Sequence, residues 1–275
     1  MTGKLYGKTV LVTGASRGYG RRFARALSQE GANVALTSRN FEDCERVARI
    51  IRADGARALA IEADVVDADA VAAMAEAVIA EFGGIDHLIN NAGHPGTLHE
   101  FADLKPADWE TPMRINLIGS FNCSQAVLPA MTARGSGVIV NMSSLVAQPH
   151  WRFYRSLPYT VSKYAIEGLS RTTAVKLKPF GIRCYAFIPG LSHTRFLDGI
   201  EPGFLKGITC QYVRHVEQPM VHLLSADSAD CPPLGESFNA LTWLDAQGML
   251  EELTYVHDGG ITPEEDQLEI SSSAS

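Results

Sequence analysis

Thr9 to Thr13 reads TVLVT, and it runs directly into Gly14-Ala15-Ser16-Arg17-Gly18-Tyr19-Gly20. Beyond the glycines, Phe23, Ala24, Ala26 and Leu27 recur at helical spacing until Gly31 stops the pattern. A β-branched run of this length suits a buried strand. Glycines permit a tight turn and close backbone approach. The following helix offers free N–H groups and the positive end of its dipole to an anion. Strand, glycine turn and helix together predict a phosphate-binding loop at Gly14, Ser16, Arg17, Gly18, Tyr19 and Gly20. The spacing is G-x-x-x-G-x-G rather than G-x-G-x-x-G, and an ordinary glycine-rich turn is the rival reading.

The rest of the chain repeats this alternation. Asn33 to Ser38 reads as a second strand, Phe41 to Ala53 as a helix and Arg57 to Glu62 as a third strand. Asp67 is a plausible cap for an alanine-rich helix to about Phe82, and Ile85 to Ile89 reads as a fourth strand. One or two helices are expected over Asp108 to Ala133, then a strand at Val138 to Met142. A helix over Tyr159 to Lys178 and a strand at Ile182 to Ile188 follow. Alternation of this kind implies a doubly wound parallel α/β sheet, with ligands at the carboxyl ends of its strands. At those ends lie Asn90-Asn91-Ala92-Gly93, Ser143-Ser144 and Pro189-Gly190-Leu191-Ser192-His193-Thr194.

In dinucleotide folds an acidic residue after the second strand holds the ribose 2′-hydroxyl. Here that neighbourhood is Thr37-Ser38-Arg39-Asn40, with no carboxylate. Arg39, with Arg17, suits a 2′-phosphate, because a planar guanidinium binds phosphate through paired hydrogen bonds. NADP(H) is therefore preferred and NAD(H) is the alternative; a merely solvent-facing Arg39 is the bland one.

Tyr159 and Lys163 stand four residues apart, one turn along the same helix face. An ammonium beside a phenol is expected to lower its pKa from about 10 and fit it to exchange a proton with a substrate oxygen. Such pairs also occur by chance on helix surfaces. Asn116 sits in the apolar setting Met113 to Phe121, where a buried amide needs partners. The loop Gln148 to Pro158 carries His150, Trp151, Arg152, Phe153, Tyr154 and Arg155. It could wall an apolar substrate pocket or make a packing contact. His94 and His193 are candidate substrate contacts, as are Trp151 and Tyr154; loop histidines are more often plain surface residues.

Composition excludes several classes. A net charge of -7 over 275 residues argues against a nucleic-acid binder. Five scattered cysteines without a C-x-x-C argue against a disulfide framework, and no cluster has metal-ligand spacing. No apolar run reaches membrane-spanning length and Met1 to Lys8 has no signal core, so a cytoplasmic protein is expected.

Taken together, the motifs resemble the short-chain dehydrogenase/reductase family. They are Thr13-Gly14-x-x-x-Gly18-x-Gly20, Asn90-Asn91-Ala92-Gly93, Asn116, the serine pair, Tyr159-x-x-x-Lys163 and Pro189-Gly190-x-x-x-Thr194. The likeness runs from about Lys8 to Leu224. It implies a Rossmann fold, a three-layer αβα sandwich around a seven-stranded parallel sheet, and a nicotinamide cofactor. It also implies hydride transfer between a carbonyl and an alcohol on a small-molecule substrate. Tyr159 would be the general acid or base, Lys163 would tune it and bind the nicotinamide ribose, and Ser144 would orient the substrate oxygen. Asn116 would support a proton relay. Asp64 and Val65 would lie near adenine, Asn91, Ala92 and Gly93 near its ribose, and Pro189, Gly190 and Thr194 near the nicotinamide. A homotetramer or homodimer is expected on the same ground.

Two departures stand out. Ser144 precedes Tyr159 by fifteen residues, two more than the family's habit, which leaves Ser143 as a rival. The last strand is also interrupted: Gly235 to Ala240 resembles its start and Asp258-Gly259-Gly260 its end. Glu236 to Leu241 is the preferred seventh strand, and Leu253 to Val256 the alternative. One catalytic domain is expected over 1–260, with a polar tail over 261–275. A rival of another class is a nucleotide-binding regulator without turnover, which would have no need of the full Asn-Ser-Tyr-Lys set.

Overall fold

A computed structural model describes residues 3–149, 156–192, 194, 196 and 206–256. The first strand and helix, β1 (Thr9–Thr13) and α1 (Gly18–Gln29), are followed by β2 (Asn33–Ser38), α2 (Phe41–Ala53) and β3 (Ala58–Glu62). Then come α3 (Ala68–Phe82), β4 (His87–Asn90), α4 (Pro106–Pro112), α5 (Gly119–Arg134) and β5 (Gly137–Met142). The chain continues through α6 (Leu157–Leu177), β6 (Ile182–Ile188), β7 (Thr209–Gln211) and α7 (Glu217–Ser225). It ends with β8 (Phe238–Asn239), α8 (Ala240–Ala246) and β9 (Thr254–Val256).

Seven strands form one parallel sheet in the order β3-β2-β1-β4-β5-β6-β8. Strand order reverses between β1 and β4, so a crevice opens beyond their carboxyl ends. Helices cover both faces. Phe23 and Leu27 of α1, Val47 and Ile51 of α2 and Met220 of α7 pack on one face with Val10, Val12 and Phe187. Val71 and Met74 of α3, Val127 of α5 and Leu177 of α6 pack on the other with Leu11, Leu88 and Ile139. Strands covered on both faces read as near-continuous apolar runs, as these do.

Local chemistry sets the element ends. Asp67 accepts from the N–H groups of Asp69 and Ala70 at the start of α3, and Asn40 accepts from Asp43 N–H at the start of α2. The helices expected over Asp108 to Ala133 are one run, α4 to α5, joined by a π-helical turn at Met113–Ile118 that contains Asn116.

The seventh strand is the preferred one, but only two residues long. Phe238 pairs with Phe187 and Asn239 with Ile188. It stops there because the Asn239 side chain accepts from Leu241 and Thr242 N–H and starts α8. Thr254–Val256 instead pairs antiparallel with β7, outside the main sheet. Among the described residues, no helix is long and apolar enough to cross a membrane.

Candidate active site

The glycine loop is shaped by what leans on it. A Cβ on Gly14, whose φ is +61°, would stand 2.8 Å from the Ala92 Cα. One on Gly20 would stand 2.5 Å from both Asn91 Nδ2 and the Gly14 carbonyl. Asn91 Nδ2 donates to the Thr13 and Gly14 carbonyls at 2.9 and 3.0 Å, and Thr13 Oγ1 accepts from the N–H of Asn91 and Ala92 at 3.0 Å each. The β1 and β4 loops are thus sewn together across the switch point. Asn91 spends its amide on this seam, and Thr13, absent from the expected binding set, is its other half.

No side chain caps the start of α1, and its first turn has no acid. The glycine cradle and an uncapped helix N-terminus fit the diphosphate of a dinucleotide, and Arg17 and Arg39 are exposed beside them. Ser16 lies partly exposed in the same loop. Ser38 is committed locally, donating to the Asn40 carbonyl at 2.8 Å. Asp64 accepts from Val66 N–H at 3.1 Å, and the buried Val65 gives its carbonyl to Asn122.

Three of the four expected catalytic side chains meet beyond β5. The Ser144 side chain lies against the Tyr159 phenol and favours its ionised form. Ser143 is turned away, its hydroxyl donating to Glu167 on α6. Of the two serines, Ser144 is the one beside the tyrosine, while Ser143 is held by Glu167. Glu167 also receives Ser237 from the strand β8 approach, so it ties three elements together. Lys163 is buried, donates to the Met142 carbonyl at 2.6 Å, and lies 5.5 Å from the Tyr159 ring centroid.

The expected lowering of the phenol's pKa does not hold in the free protein. Burial pushes Tyr159 up to about 12, and Ser144 opposes this only in part. Burial pulls Lys163 down to about 8 against the upward pull of Glu167. Desolvation outweighs the charge pairing because the ammonium is turned to a carbonyl rather than to the phenol oxygen.

Asn116 is the fourth. Its Oδ1 accepts from His94 N–H at 2.7 Å, while Nδ2 donates to the His94 carbonyl at 3.1 Å and to Ser162 Oγ at 2.8 Å. The amide therefore holds the Gly93–His94 backbone against α6. A π turn re-aims this side chain inward, a common use of such turns. The His94 ring is half-buried and burial lowers its pKa, with Arg39 adding to the shift. It thus feels the charge at the far end of the crevice.

Pro189, Gly190 and Thr194 leave β6 on the same side. A Cβ on Gly18 would stand 3.9 Å from Thr194 Cβ, so this loop crosses the glycine loop. Phe196, unmarked in the sequence, lies 5.6 Å from the Tyr159 ring, centroid to centroid. Trp151, Tyr154 and His193 lie outside the described residues, as do Asp258-Gly259-Gly260 and the 261–275 tail.

A family model described as short chain dehydrogenase matches residues 8–203. A 3-oxoacyl-[acyl-carrier-protein] reductase of Staphylococcus epidermidis is 38% identical over 66% of this chain and 74% of its own. A 3-alpha-(or 20-beta)-hydroxysteroid dehydrogenase of Mycobacterium tuberculosis is 35% identical over 83% of this chain and 86% of its own. Among solved structures, a gluconate 5-dehydrogenase from Burkholderia cenocepacia, in complex with NADP and tartrate, superposes with a TM-score of 0.77. It is 29% identical and covers 86% of this chain and 94% of its own. The sequence match, the parallel seven-stranded sheet and the motifs at its strand ends agree, and the chain belongs to the short chain dehydrogenase family of oxidoreductases.

Proposed function

We propose that the chain is an NADP(H)-dependent oxidoreductase that interconverts a ketone or other carbonyl with a secondary alcohol. The reading rests on the convergence of Ser144, Tyr159 and Lys163 beside a glycine cradle at one end of the sheet. When bound, a nicotinamide supplies or takes the hydride. Tyr159, neutral in the free protein, gives its proton to the substrate oxygen in the reductive direction and takes one back in the oxidative direction. Ser144 donates a hydrogen bond to the same oxygen, where negative charge develops. Lys163 supplies the positive charge behind the phenol and would hold the ribose of a bound nicotinamide. Asn116, with its amide groups committed to His94 and Ser162, acts by positioning the Gly93–His94 backbone rather than by moving a proton.

Preference for NADP rests on Arg17 and Arg39 and on the absence of a carboxylate after β2. A structural neighbour solved with NADP supports it. The related enzymes are a 3-oxoacyl reductase, a hydroxysteroid dehydrogenase and a gluconate dehydrogenase, all of which exchange a carbonyl and a hydroxyl. A small carbonyl compound is accordingly the substrate class for this chain. A homodimer or homotetramer fits the exposed Ile118, Phe121 and Val161, and light scattering would report it.

The test is NADPH oxidation against a panel of ketones and quinones. Tyr159→Phe should bind NADPH normally and lose at least about a hundredfold in turnover. Full activity in that variant would refute the mechanism. Arg39→Asp should shift preference toward NADH, and an unchanged ratio would remove Arg39 from the cofactor site.

A further inference from the structure

The turn from Pro189 to Ser192 is gripped by side chains from three other places in the chain. Gln211, the last residue of β7, accepts Leu191 N–H at its Oε1 and donates its own N–H to the Leu191 carbonyl, both at 2.8 Å. Buried His215 sets Nε2 against the Pro189 carbonyl. Its Nδ1 lies 2.7 Å from the Tyr212 carbonyl and 3.4 Å from the Ser192 hydroxyl. Tyr19 comes from the glycine loop. Its hydroxyl lies beside Ser192, and its ring lies edge-on to His215 at 6.0 Å.

The turn has no slack. Gly190 has φ +98°, and a Cβ there would stand 2.8 Å from both Gln211 Oε1 and Leu241 Cδ2. Gln211 is itself held from behind. It pairs with Thr254 of β9, the next N–H, Tyr212, donates to the Leu253 carbonyl at 2.9 Å, and Tyr212 packs on Tyr255 at 4.8 Å. The interrupted C-terminal segment, the feature that departs from the family pattern, therefore backs the turn that leaves β6.

Gln211 and His215 spend their polar groups on the turn and its flanks, and Tyr19 acts on Tyr159 only through its charge. Burial raises the Tyr19 phenol, so it stays neutral and serves as a fixed dipole rather than an acid. What the contacts do is order a backbone turn before a ligand arrives, which lowers the entropy lost on binding.

We propose that Tyr19, Gln211 and His215 form a brace that locks the Pro189-to-Ser192 turn to the glycine loop and so sets the affinity for the nicotinamide cofactor. They are positioning residues, and the inference rests on the reading that the cofactor lies between these two loops. A buried hydrogen bond of this kind is worth roughly a factor of ten in affinity.

The test uses the full chain with two readouts. The first is amide exchange of the Leu191–Ser192 region in the cofactor-free protein, and the second is NADPH affinity by fluorescence titration. Tyr19→Phe, Gln211→Ala and His215→Leu should each speed exchange there and weaken NADPH roughly tenfold. For Gln211→Ala and His215→Leu, kcat at saturating NADPH should stay within about threefold of the parent. His215→Gln, which keeps one donor, should recover part of the affinity. The Tyr19→Phe/His215→Leu double variant should be weakened by less than the product of the singles, because both hold one turn. If His215→Leu does not fold, the other two single variants carry the test. Unchanged exchange, or faster exchange with parental affinity, overturns the brace alone. A parent chain that binds neither NADPH nor NADH overturns the reading of the site and the brace with it.

Discussion

Among single residues, the decisive contrast is between two adjacent serines. Ser143 donates to Glu167, and Ser144 engages Tyr159. Ser144→Ala should therefore cost roughly a hundredfold or more in kcat, the scale for removing a donor from a developing oxyanion. Ser143→Ala should leave kcat within about tenfold and lower stability by about 1 kcal/mol through the lost bond to Glu167. Steady-state rates and urea unfolding of the two variants check this, and a reversed order would reassign the serine. The sequence left the pair open because fifteen residues separate Ser144 from Tyr159. Only the partner on α6 distinguishes the two hydroxyls. Lys163 offers a second prediction. Its folded pKa of about 8 lies below its ordinary value, and that of Tyr159 at about 12 lies above. The proposed mechanism requires, in the reductive direction, a free enzyme with the phenol protonated and the lysine charged. Below pH 8 both hold; above it Lys163 loses its charge while Tyr159 keeps its proton. kcat/KM for NADPH, which reports the free enzyme, should fall with a midpoint near 8. A profile level to pH 10, about where an unburied lysine titrates, would mean that the ammonium is not needed in the free form.

Elements show where sequence patterns carry information and where they do not. The strand–glycine–helix unit was readable because each part is dictated locally: β-branched strand, glycine turn, amphipathic helix. The same holds for the Asp67 cap and for the helix bearing Tyr159. The π turn at Met113–Ile118 was not readable, since no spacing marks an extra residue in a helical turn. Nor was the pairing of β7 with β9, two three-residue strands with 42 residues between them, a distance at which periodicity says nothing. The Thr13–Asn91 seam needed both loops in view at once. It makes a prediction for the glycine loop as an element. A methyl group on Gly20 has no space, because Asn91 Nδ2 and the Gly14 carbonyl each stand 2.5 Å from its place. Gly20→Ala should force Asn91 off the Thr13 and Gly14 carbonyls and open the cradle. The expected result is a lower Tm and a loss of NADPH affinity of more than about tenfold. Gly55→Ala, at φ +86° with nothing within reach of a Cβ, is the control for backbone strain alone. It should lower Tm without touching cofactor affinity. Equal effects of the two changes on binding would deny the seam a functional role.

Across the whole molecule, a parallel sheet separates chemistry from stability: the glycine loop, Ser144 and Gly190 follow the carboxyl ends of their strands, and α6 brings Tyr159 and Lys163 to the same end. The amino ends are free to hold what only folding needs, and they carry an unresolved strain. His87, the first residue of β4, is buried between Val10 of β1 and Val138 of β5, and neither ring nitrogen has a hydrogen-bond partner. Burial drives its pKa down to about 4, with Lys8, Arg183 and Arg134 adding to the fall and Asp86 opposing it. An unfolded histidine titrates near 6.5. As pH falls from about 6.5 to about 4, the unfolded chain binds a proton that the folded chain refuses, so stability drops across that window and levels off below it. Between pH 7.5 and 5 this amounts to about 2 kcal/mol. Asp86, whose pKa is lowered by Thr9 N–H and Arg134, adds to acid loss only below about pH 4, so the two contributions separate on the pH axis. His87→Leu should remove about 2 kcal/mol of the loss between pH 7.5 and 5, leaving the share of His94 and His215, whose pKa values burial also lowers, and should raise stability at neutral pH, where two orphaned nitrogens give way to apolar contact. Its turnover at pH 7.5 should match the parent, because His87 lies at the opposite end of β4 from Asn90. Urea unfolding of both proteins at the two pH values measures the difference directly. If parent and variant lose the same stability on acidification, another group carries the acid sensitivity of the fold.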